Sequence, residues 1–402
     1  MNSFKFYPVG QGLFYTGSLA HNTYNFVYDC GTESKKQYLN SSIDLFTHST
    51  RNKDAKRVDI NFVVISHLHR DHFSGLFNLV QKANVQKVYL PYLGHDRNLI
   101  SLILAHIIFD DMIEDDQYDN YSLFSFMIRL YGIEDNSDFP RIKVIFIEES
   151  GDKKSEKGAL SYSIYNDHVD IGSQKYWKFV FISRAIDDFV IEQLNLKVSA
   201  VLDHNGINSI VDLLSMRNGI KHIAKIYHEV FVNEIRKDSN FLNKTSIVLI
   251  HYPLYNSPDA FFADGNEIVM RTSRTVESRY FNHCYPCMNN HFDFRRLLTP
   301  ITILSGDVMI DQYMEMIIIP QLRMYKDEAL SLCGILQVPH HGSKDNWIAW
   351  KHTSITSEVC VISFGLGNRH RHPHPETIYD LICSKQSAQF VNQTQGFEYY
   401  ID

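Results

Sequence analysis

The sequence predicts a single α/β domain, and three observations support that fold class. Apolar runs rich in β-branched and aromatic residues recur along the chain, helical patterns separate several of them, and polar residues stand directly after many of them. No internal repeat is seen. With 402 residues, 44% of them hydrophobic, the chain can bury one large core or two modest ones. We expect one domain over residues 1–402.

The predicted strands and helices alternate along the chain. Strands are expected at Phe4–Val9, Phe14–Thr16, Tyr24–Tyr28, Phe62–Ser66, Lys87–Leu90, Arg141–Glu148, Tyr162–Tyr165 and Trp177–Ile182, and then over 245–251, 301–305, 334–338 and 359–364. Helices are expected over 73–83, within 97–132 and 187–237, and from Pro375 to about Ile382.

Three segments are predicted to be insertions into this domain. The segments at about 92–140 and 186–240 are helical and could dock a protein partner, whereas 254–298 is predicted to be a loop. That loop contains Cys284, Cys287 and His291, and Cys-x2-Cys beside a His could hold a structural zinc. The alternative is a surface loop with two free thiols.

The most informative stretch is His67-Leu68-His69-Arg70-Asp71-His72, which follows an apolar strand and precedes a helical pattern. Side chains two apart on an extended segment point the same way, so His67 and His69 can share one metal ion. Asp71 and His72 stand where the chain turns into the helix and can reach a second ion. The alternative is a His-rich surface turn, since the chain has 20 His, but Asp71-His72 after a buried strand favours a metal site.

Further motifs follow in a fixed order. They are Asp29-Cys30-Gly31 after a strand, Ser305-Gly306-Asp307 after another, and Val338-Pro339-His340-His341-Gly342-Ser343. Together with the His67–His72 loop they resemble the metallo-β-lactamase-fold hydrolases from end to end. The resemblance implies a four-layer αββα sandwich with two divalent metal ions at one rim.

The resemblance also implies a ligand set. His67 and His69 would hold one ion, while Asp71, His72 and one of the pair His340-His341 would hold the second. Asp307 would bridge the two, and the other His of the pair could protonate a leaving oxygen or bind phosphate. Asp71, His340 and His341 are thus the candidate catalytic residues. Imidazole ligands favour Zn²⁺, and Mn²⁺ is the alternative.

A narrower resemblance is to the soluble hydrolase domain of bacterial competence (DNA-uptake) proteins. It depends on Val9-Gly10-Gln11-Gly12, on Asn243 to Leu249 and on His372-Pro373-His374-Pro375. Two departures stand out. Asn368-Arg369-His370-Arg371 replaces the usual Asn-x-Tyr-Gly, and no third-motif His is evident for the first ion. His95 and His251 are candidate substitutes.

Other polar residues are expected to support the centre or to contact substrate. Asp29 would support the metal loop. Asn243 and Ser246 are either supports or hydrogen-bonding residues at a strand edge. The residues expected at the substrate are Lys344, Asn368, Arg369, Arg371, His372 and His374. Arg suits phosphate geometry, although a solvated loop is the alternative for this run.

Composition narrows the class of protein. A net charge of −7 is unlike that of most nucleic-acid binders, so any phosphate contact would be local. We see neither a signal peptide nor an apolar run long enough to span a bilayer. Six dispersed Cys suggest free thiols in a reducing cytoplasm.

Three classes of function remain open. The leading one is a metal-dependent hydrolase of phosphodiesters, either a nuclease or a nucleotide phosphodiesterase. The second is a hydrolase of another ester, thioester or lactone, because one metal core serves all of these bonds. The third is a partner-binding subunit of a multi-protein system that docks through its helical insertions.

Overall fold

The computed structural model describes residues 2–51, 55–109, 117–134, 142–147, 162–171, 176–184, 188–235, 241–254, 268–274, 299–322, 332–347, 353–384 and 386–401. The predicted zinc ligands Cys284, Cys287 and His291 lie outside the described residues. Within these stretches, no helix combines the length and the hydrophobicity needed to cross a membrane.

Among the described residues, the first sheet has eight strands. They are β1 (Asn2–Phe6), β2 (Phe14–Leu19), β3 (Tyr24–Cys30), β5 (Phe62–Val64), β7 (Lys87–Pro91), β8 (Lys143–Ile147), β12 (Ile268–Arg274) and β17 (Gln395–Ile401), while β4 (Val58–Ile60) pairs with β6 (Ala83–Val85) separately. The order is β12-β17-β1-β2-β3-β5-β7-β8. Strands β3, β5, β7 and β8 run parallel, so their carboxyl ends lie at one edge.

In the part of the chain that the structure describes, the second sheet has seven strands. They are β9 (Tyr162–Asp170), β10 (Tyr176–Arg184), β11 (Val248–Leu254), β13 (Thr302–Leu304), β14 (Leu332–Gln337), β15 (Thr356–Ser363) and β16 (Ser387–Val391). The order is β16-β15-β14-β13-β11-β10-β9. Strands β13 to β16 run parallel, so this sheet also collects several carboxyl ends at one edge.

Helices flank both sheets. They are α1 (Lys36–Thr50), α2 (Arg70–Phe73), α3 (Leu76–Lys82), α4 (Arg97–Phe109), α5 (Gln117–Leu130), α6 (Asp188–His204), α7 (Ile210–Leu214), α8 (Gly219–Ile235), α9 (Phe241–Lys244), α10 (Gln312–Leu322) and α11 (Pro375–Cys383). Helices α4 to α8 occupy the segments that the sequence predicts to be helical.

Three hydrophobic cores separate four layers. Alternate residues of β5 divide between two cores, because successive side chains of a strand point to opposite faces: Phe62 and Val64 pack between the sheets, and Val63 packs against the helices of the first sheet. On β11, Leu249 likewise faces the other sheet and Ile250 faces the core that contains α10 and α11. The order helix, sheet, sheet, helix confirms the predicted αββα class.

One prediction about the insertions is wrong in part. Residues 254–298 were expected to be a loop, but Ile268–Arg274 forms β12 and pairs antiparallel with β17 at the end of the first sheet. The segment Ile268-Val269-Met270 is apolar and partly β-branched, which suits an added edge strand. Strands β16 and β17 and helices α1 and α10 were also not predicted from the sequence.

Candidate metal centre

The loop between β5 and α2 places the first candidate ligands. His67 follows the buried residues Ile65 and Ser66 and is itself fully buried. His69 has extended backbone angles, and α2 begins at the next residue. Asp71 and His72 therefore lie in the first helical turn and are both buried. The chain changes from strand to helix within six residues, as the sequence predicts, and this change points the four side chains toward one small volume.

Two groups of side chains could each hold a metal ion. The first is His67, His69 and Asp307, and the second is Asp71, His72 and His341; within each group, one ligand atom per residue lies within 4.8 Å of the others. The two groups draw on both sheets, since Asp307 follows β13 and His341 follows β14. The structure thus brings together six of the seven predicted ligands.

Asp307 faces both groups at once. Its Oδ2 lies 3.5 Å from His67 Nε2, and its Oδ1 lies 3.2 Å from His72 Nε2. A carboxylate with one oxygen toward each of two ligand groups has the arrangement of a bridging ligand. Ser246 accepts a hydrogen bond from the Asp307 backbone N–H through its Oγ at 3.3 Å, so it contacts this residue; its supporting role stays a prediction.

Hydrogen bonds on the far side of two imidazoles orient them. His72 Nδ1 lies 2.7 Å from Asp29 Oδ2, and His341 Nδ1 lies 2.7 Å from the carbonyl oxygen of Ser363. Both partners are acceptors, so each Nδ1 carries a proton and each Nε2 is the nitrogen directed at the centre. Partners of this kind fix the tautomer of metal-binding histidines.

Asp29 organises the start of the metal loop as well. Its Oδ1 accepts the Ser66 backbone N–H at 2.6 Å, and its Oδ2 accepts the Ser66 hydroxyl at 2.7 Å. Ser66 Oγ in turn lies 3.0 Å from His67 Nδ1 and can accept its proton, which leaves His67 Nε2 facing Asp307. Asp29 therefore lies where the sequence predicts, beside the metal loop.

The neighbouring Gly31 permits this close packing. A side chain at Gly31 would meet the backbone of Asp71, whose carbonyl carbon lies 2.4 Å from the position of an added Cβ. Only glycine allows the end of β3 to approach the metal loop so closely. The Asp-Cys-Gly motif thus combines an acceptor for His72 with a close backbone contact.

The donor set fits divalent metal ions. His72 Nε2 and Asp307 Oδ1 are buried and face each other without hydrogen-bonding geometry, and neither has a partner. His341 Nε2, by contrast, lies at hydrogen-bonding distance from Asp71 Oδ2, at 2.8 Å. Buried polar atoms are normally satisfied, and lone pairs directed at one another require a cation or a proton between them. Mixed imidazole and carboxylate ligands suit Zn²⁺ or Mn²⁺.

The pKa shifts of His67 and His72 indicate that the candidate metal centre favours a positive charge. Burial, reinforced by His72, lowers the pKa of His67 well below its usual value, so His67 is a neutral imidazole. Burial alone would lower the pKa of His72 too, but the carboxylates of Asp307, Asp71 and Asp29 raise it well above its usual value. Three buried carboxylates around one imidazole favour a cation at this point.

The turn after β14 separates the roles of His340 and His341. Both residues have positive φ angles, 46° and 54°, a strained conformation for residues with a Cβ. His341 is buried in the second ligand group, whereas His340 belongs to neither group and is 24% exposed, with Nε2 3.6 Å from Asp307 Oδ2. His340 Nδ1 donates to Asn346 Oδ1 at 2.6 Å, and the Asn243 amide is farther away, at 3.4 Å.

Two residues of this region were missed by sequence reasoning. Gln337 Oε1 accepts the backbone N–H groups of Ser305 and Gly306, which fixes the turn before Asp307. Asn346 Nδ2 donates to the Asp307 carbonyl at 2.8 Å. Gln337 could have been found from the sequence, because it is the single polar residue within the apolar run Gly334–Val338. Asn346 offered no comparable signal.

The predicted substrate residues divide into two kinds. Lys344, Arg369 and Arg371 are exposed, and Arg369 lies 3.7 Å from the carboxylate of Glu33. The half-buried ring of His372 meets the ring of His340 edge-on, with 5.3 Å between the centroids. We call Lys344, Arg369 and Arg371 the basic rim; burial, reinforced by His340, lowers the pKa of the neighbouring His372 to about 4, so that its imidazole is neutral.

Asn368 and His374 make structural contacts instead. Asn368 donates through Nδ2 to the carbonyl oxygens of Gly365 and His372 and accepts the His372 N–H, so its side chain closes the loop on itself. His374 Nδ1 accepts the Glu376 N–H at 3.2 Å and caps α11. Both side chains are occupied by the backbone, which leaves the substrate role predicted for them without support.

The candidate substitutes for the missing first-metal His lie elsewhere. His251 is buried between the sheets, 2.7 Å from the Tyr15 hydroxyl and within reach of Trp177 Nε1, among aromatic residues. That prediction is wrong, because side chains alternate along β11 and His251 faces the other sheet. His95 is exposed and belongs to neither ligand group of the described residues.

A comparison with protein-family models finds a match, which covers the part of the chain that contains the metal loop. Residues 15–98 match the metallo-beta-lactamase superfamily. The metallo-beta-lactamase match includes Asp29 and His67 to His72 and ends well before Asp307 and His341. Comparison with curated proteins finds no relative of significant similarity.

Two solved structures are similar to parts of the chain. One is an archaeal metallo-beta-lactamase superfamily protein from Sulfolobus tokodaii, with 15% identity over 45% of this chain and 59% of its own, and a TM-score of 0.20. The other is rubredoxin oxygen:oxidoreductase from the anaerobe Desulfovibrio gigas, with 12% identity over 49% of this chain and 46% of its own, and a TM-score of 0.21. The chain thus spans less than two thirds of either protein.

Proposed function

We propose that this protein is a metal-dependent hydrolase of phosphodiester bonds. The observation that carries the proposal is Asp307, whose two oxygens face His67 and His72 in two separate ligand groups. One carboxylate shared by two such groups is the arrangement of a dinuclear hydrolase site. The metallo-beta-lactamase match over residues 15–98 supports the same class of chemistry.

The two ligand groups support a proposed assignment of residues to each ion. His67 and His69 would hold one ion, Asp71, His72 and His341 the other, and Asp307 both; the imidazole content favours Zn²⁺ over Mn²⁺. Two divalent ions bound by these residues would lower the pKa of a bound water and polarise the bond under attack. Asp29 and the Ser363 carbonyl keep His72 and His341 in the tautomer that such binding needs.

His340 is the residue best placed to move a proton. It is partly exposed, so a leaving oxygen can reach its ring, and its Nδ1–H is held by Asn346. Its Nε2 lies 3.6 Å from Asp307 Oδ2, at the centre, where a proton on this nitrogen could pass to the leaving oxygen. We therefore assign His340 as the general acid and His341 as the ligand.

The basic rim supports a phosphodiester over an uncharged ester. Lys344 and Arg371 are exposed beside a centre that is otherwise rich in carboxylates, and the chain as a whole carries a net charge of −7. A local positive rim would attract a phosphate to this point, and Arg can bind two phosphate oxygens together. The narrower likeness to competence-type hydrolase domains favours a nucleic-acid-like substrate and depends on sequence motifs alone.

Hydrolysis of bis(4-nitrophenyl) phosphate and of single- and double-stranded DNA tests the proposal. Wild type loaded with Zn²⁺ or Mn²⁺ is compared with Asp307→Ala, and Asp203→Ala, on the exposed face of α6, is the control for loss of a carboxylate. We expect metal-dependent cleavage that falls at least about 100-fold in Asp307→Ala only. Cleavage of 4-nitrophenyl acetate, with none of any phosphodiester, would contradict the proposal.

A further inference from the structure

A cavity of about 250 Å³ lies at the carboxyl end of β7. Its lining includes the side chains of Tyr92, His95 and Arg97 from the turn after β7, and those of Tyr131 and Phe146 from beyond α5 and from β8. It is open on one side, and its volume equals that of roughly eight water molecules, enough for one planar heterocycle. None of the metal-binding residues lines it.

The cavity and the metal centre share one edge of the first sheet. Strand β7 pairs in parallel with β5, with Val64 opposite Tyr89, and Ile65 N–H donates to the Tyr89 carbonyl. His67 and Tyr92 each stand three residues beyond that last paired position. Neighbouring strands lie about 4.8 Å apart, so the turn that carries Tyr92 leaves the sheet directly beside the metal loop.

The lining is suited to an aromatic ring attached to a phosphate. The rings of Tyr92 and His95 meet at 5.2 Å between centroids, and those of Tyr131 and Phe146 meet at 5.3 Å, so aromatic faces and edges come from two sides. Tyr131 Oη donates to the Pro91 carbonyl at 3.2 Å, which steadies one wall. Arg97 is exposed at the opening and can bind a phosphate.

We propose that this cavity binds a nucleobase of the substrate while the adjoining phosphodiester lies at the metal centre. Stacking on aromatic side chains is the usual way in which proteins hold an unpaired base, and it tolerates any base because every base has a π face. Arg97 contacts the phosphate between the base and the centre. The inference rests on the proposed function and specifies its substrate as a nucleotide-type or single-stranded diester.

Two substrates that share the same leaving group, and differ in whether they carry a base, isolate the contribution of the base to kcat/KM. Thymidine 5′-(4-nitrophenyl phosphate) carries a base, and methyl 4-nitrophenyl phosphate does not. We expect wild type to prefer the first by about tenfold or more in kcat/KM, and we expect Tyr92→Ala to abolish most of that preference. Ile133→Phe, which fills the cavity without removing a ring, should reduce it too. Tyr313→Ala, an exposed tyrosine on α10, is the control and should retain it.

Binding measured by calorimetry separates this inference from the proposed function. Thymidine 5′-monophosphate should bind wild type about tenfold more tightly than methyl phosphate does, and Tyr92→Ala and Ile133→Phe should remove the difference. If this pattern is seen without hydrolysis, the cavity is confirmed and the proposed reaction fails. If both diesters are cleaved equally and neither monophosphate is preferred, the reaction stands and the cavity inference is overturned.

Discussion

Asp29 is the residue that most clearly couples one strand of the sheet to the centre. It holds His72 through Oδ2 and the loop backbone through Oδ1, from a position with φ 57° at the end of β3. Asparagine tolerates that backbone conformation but can accept fewer of these hydrogen bonds. We predict that Asp29→Asn lowers metal affinity about 10–100-fold, measured by competition with a chromogenic chelator.

The matched control for Asp29→Asn is Asp203→Asn on the surface of α6, which should bind metal as wild type does. Circular dichroism of both variants establishes whether they fold. A folded Asp29→Asn protein with wild-type metal affinity would show that Asp29 does not orient His72 for binding.

Arg371 is the basic-rim residue whose role depends most on the substrate being a phosphodiester. It is exposed, and no ion pair of the described residues involves it. Loss of one charge-assisted contact to phosphate should raise KM for bis(4-nitrophenyl) phosphate about tenfold in Arg371→Ala, with metal content unchanged. Arg217→Ala, between α7 and α8, is the control. An unchanged KM in Arg371→Ala would remove this residue from the substrate site.

At the scale of single residues, the sequence predicted ligands better than their supports. His67 to His72 and Asp307 follow apolar strands directly, so their position at a sheet edge could be inferred. Asn346 acts through a backbone group of a different segment, which no local pattern indicates, whereas Gln337 is marked only as a polar residue within an apolar run and its partners are not. His251 was misassigned because its partner Tyr15 is 236 positions away in the sequence.

Among the elements, the turn between β13 and Asp307 depends on β14. Gln337 supplies an acceptor to two backbone N–H groups and donates through Nε2 to the Gly306 carbonyl at 3.1 Å. Gln337→Ala leaves these buried groups unpaired, and we predict a loss of about 2–4 kcal/mol in the free energy of unfolding by urea denaturation. Gln389→Ala, on the partly exposed β16, should cost far less. Equal losses in both would contradict a specific role for Gln337.

The core between the sheets contains a buried titratable group, which predicts a pH dependence. Burial lowers the pKa of His251 to about 3, so it stays neutral in the fold while the unfolded chain binds a proton below about pH 6.5. Its contribution to stability is complete above pH 6.5 and is lost as the pH falls toward 3, by up to roughly 1.4 kcal/mol per pH unit.

Urea denaturation of metal-free protein between pH 4 and 7 measures this effect. Wild type should lose more stability than His251→Gln as the pH falls, and the difference between the two isolates His251 from the other buried histidines. If the free energy of unfolding falls equally with pH in the two proteins, His251 does not cause the loss of stability.

Element prediction succeeded where a strand contains an uninterrupted apolar run and failed at one end of each sheet. Strands β5, β11 and β14 are buried on both faces and are marked in the sequence by the apolar runs Phe62–Ile65, Ile247–Ile250 and Ile335–Leu336. Strand β12 was missed because its partner among the described residues, β17, is distant along the chain, and the composition of this edge strand is mixed. Docking of a partner by α4 to α8 stays a prediction.

For the whole molecule, the decisive feature is the meeting of two sheet edges. The contact between Ile247 N–H and the Ser66 carbonyl, at 2.8 Å, joins the segment before β11 to the metal loop. His341 reaches Asp71 across the same junction. The order of motifs along the chain predicted this assembly through a resemblance to known hydrolases, because periodicity alone cannot say which two sheets face each other.

The central claim is that Asp307 joins two metal sites, and metal binding to purified protein tests it most directly. Equilibrium dialysis against Zn²⁺, followed by elemental analysis, should find two ions per chain in wild type, and the bound ions should raise Tm. Asp307→Asn, which keeps the side chain's shape but loses its charge, should hold at most one ion and lose most of that rise. Two ions bound by Asp307→Asn with unchanged affinity would contradict the account.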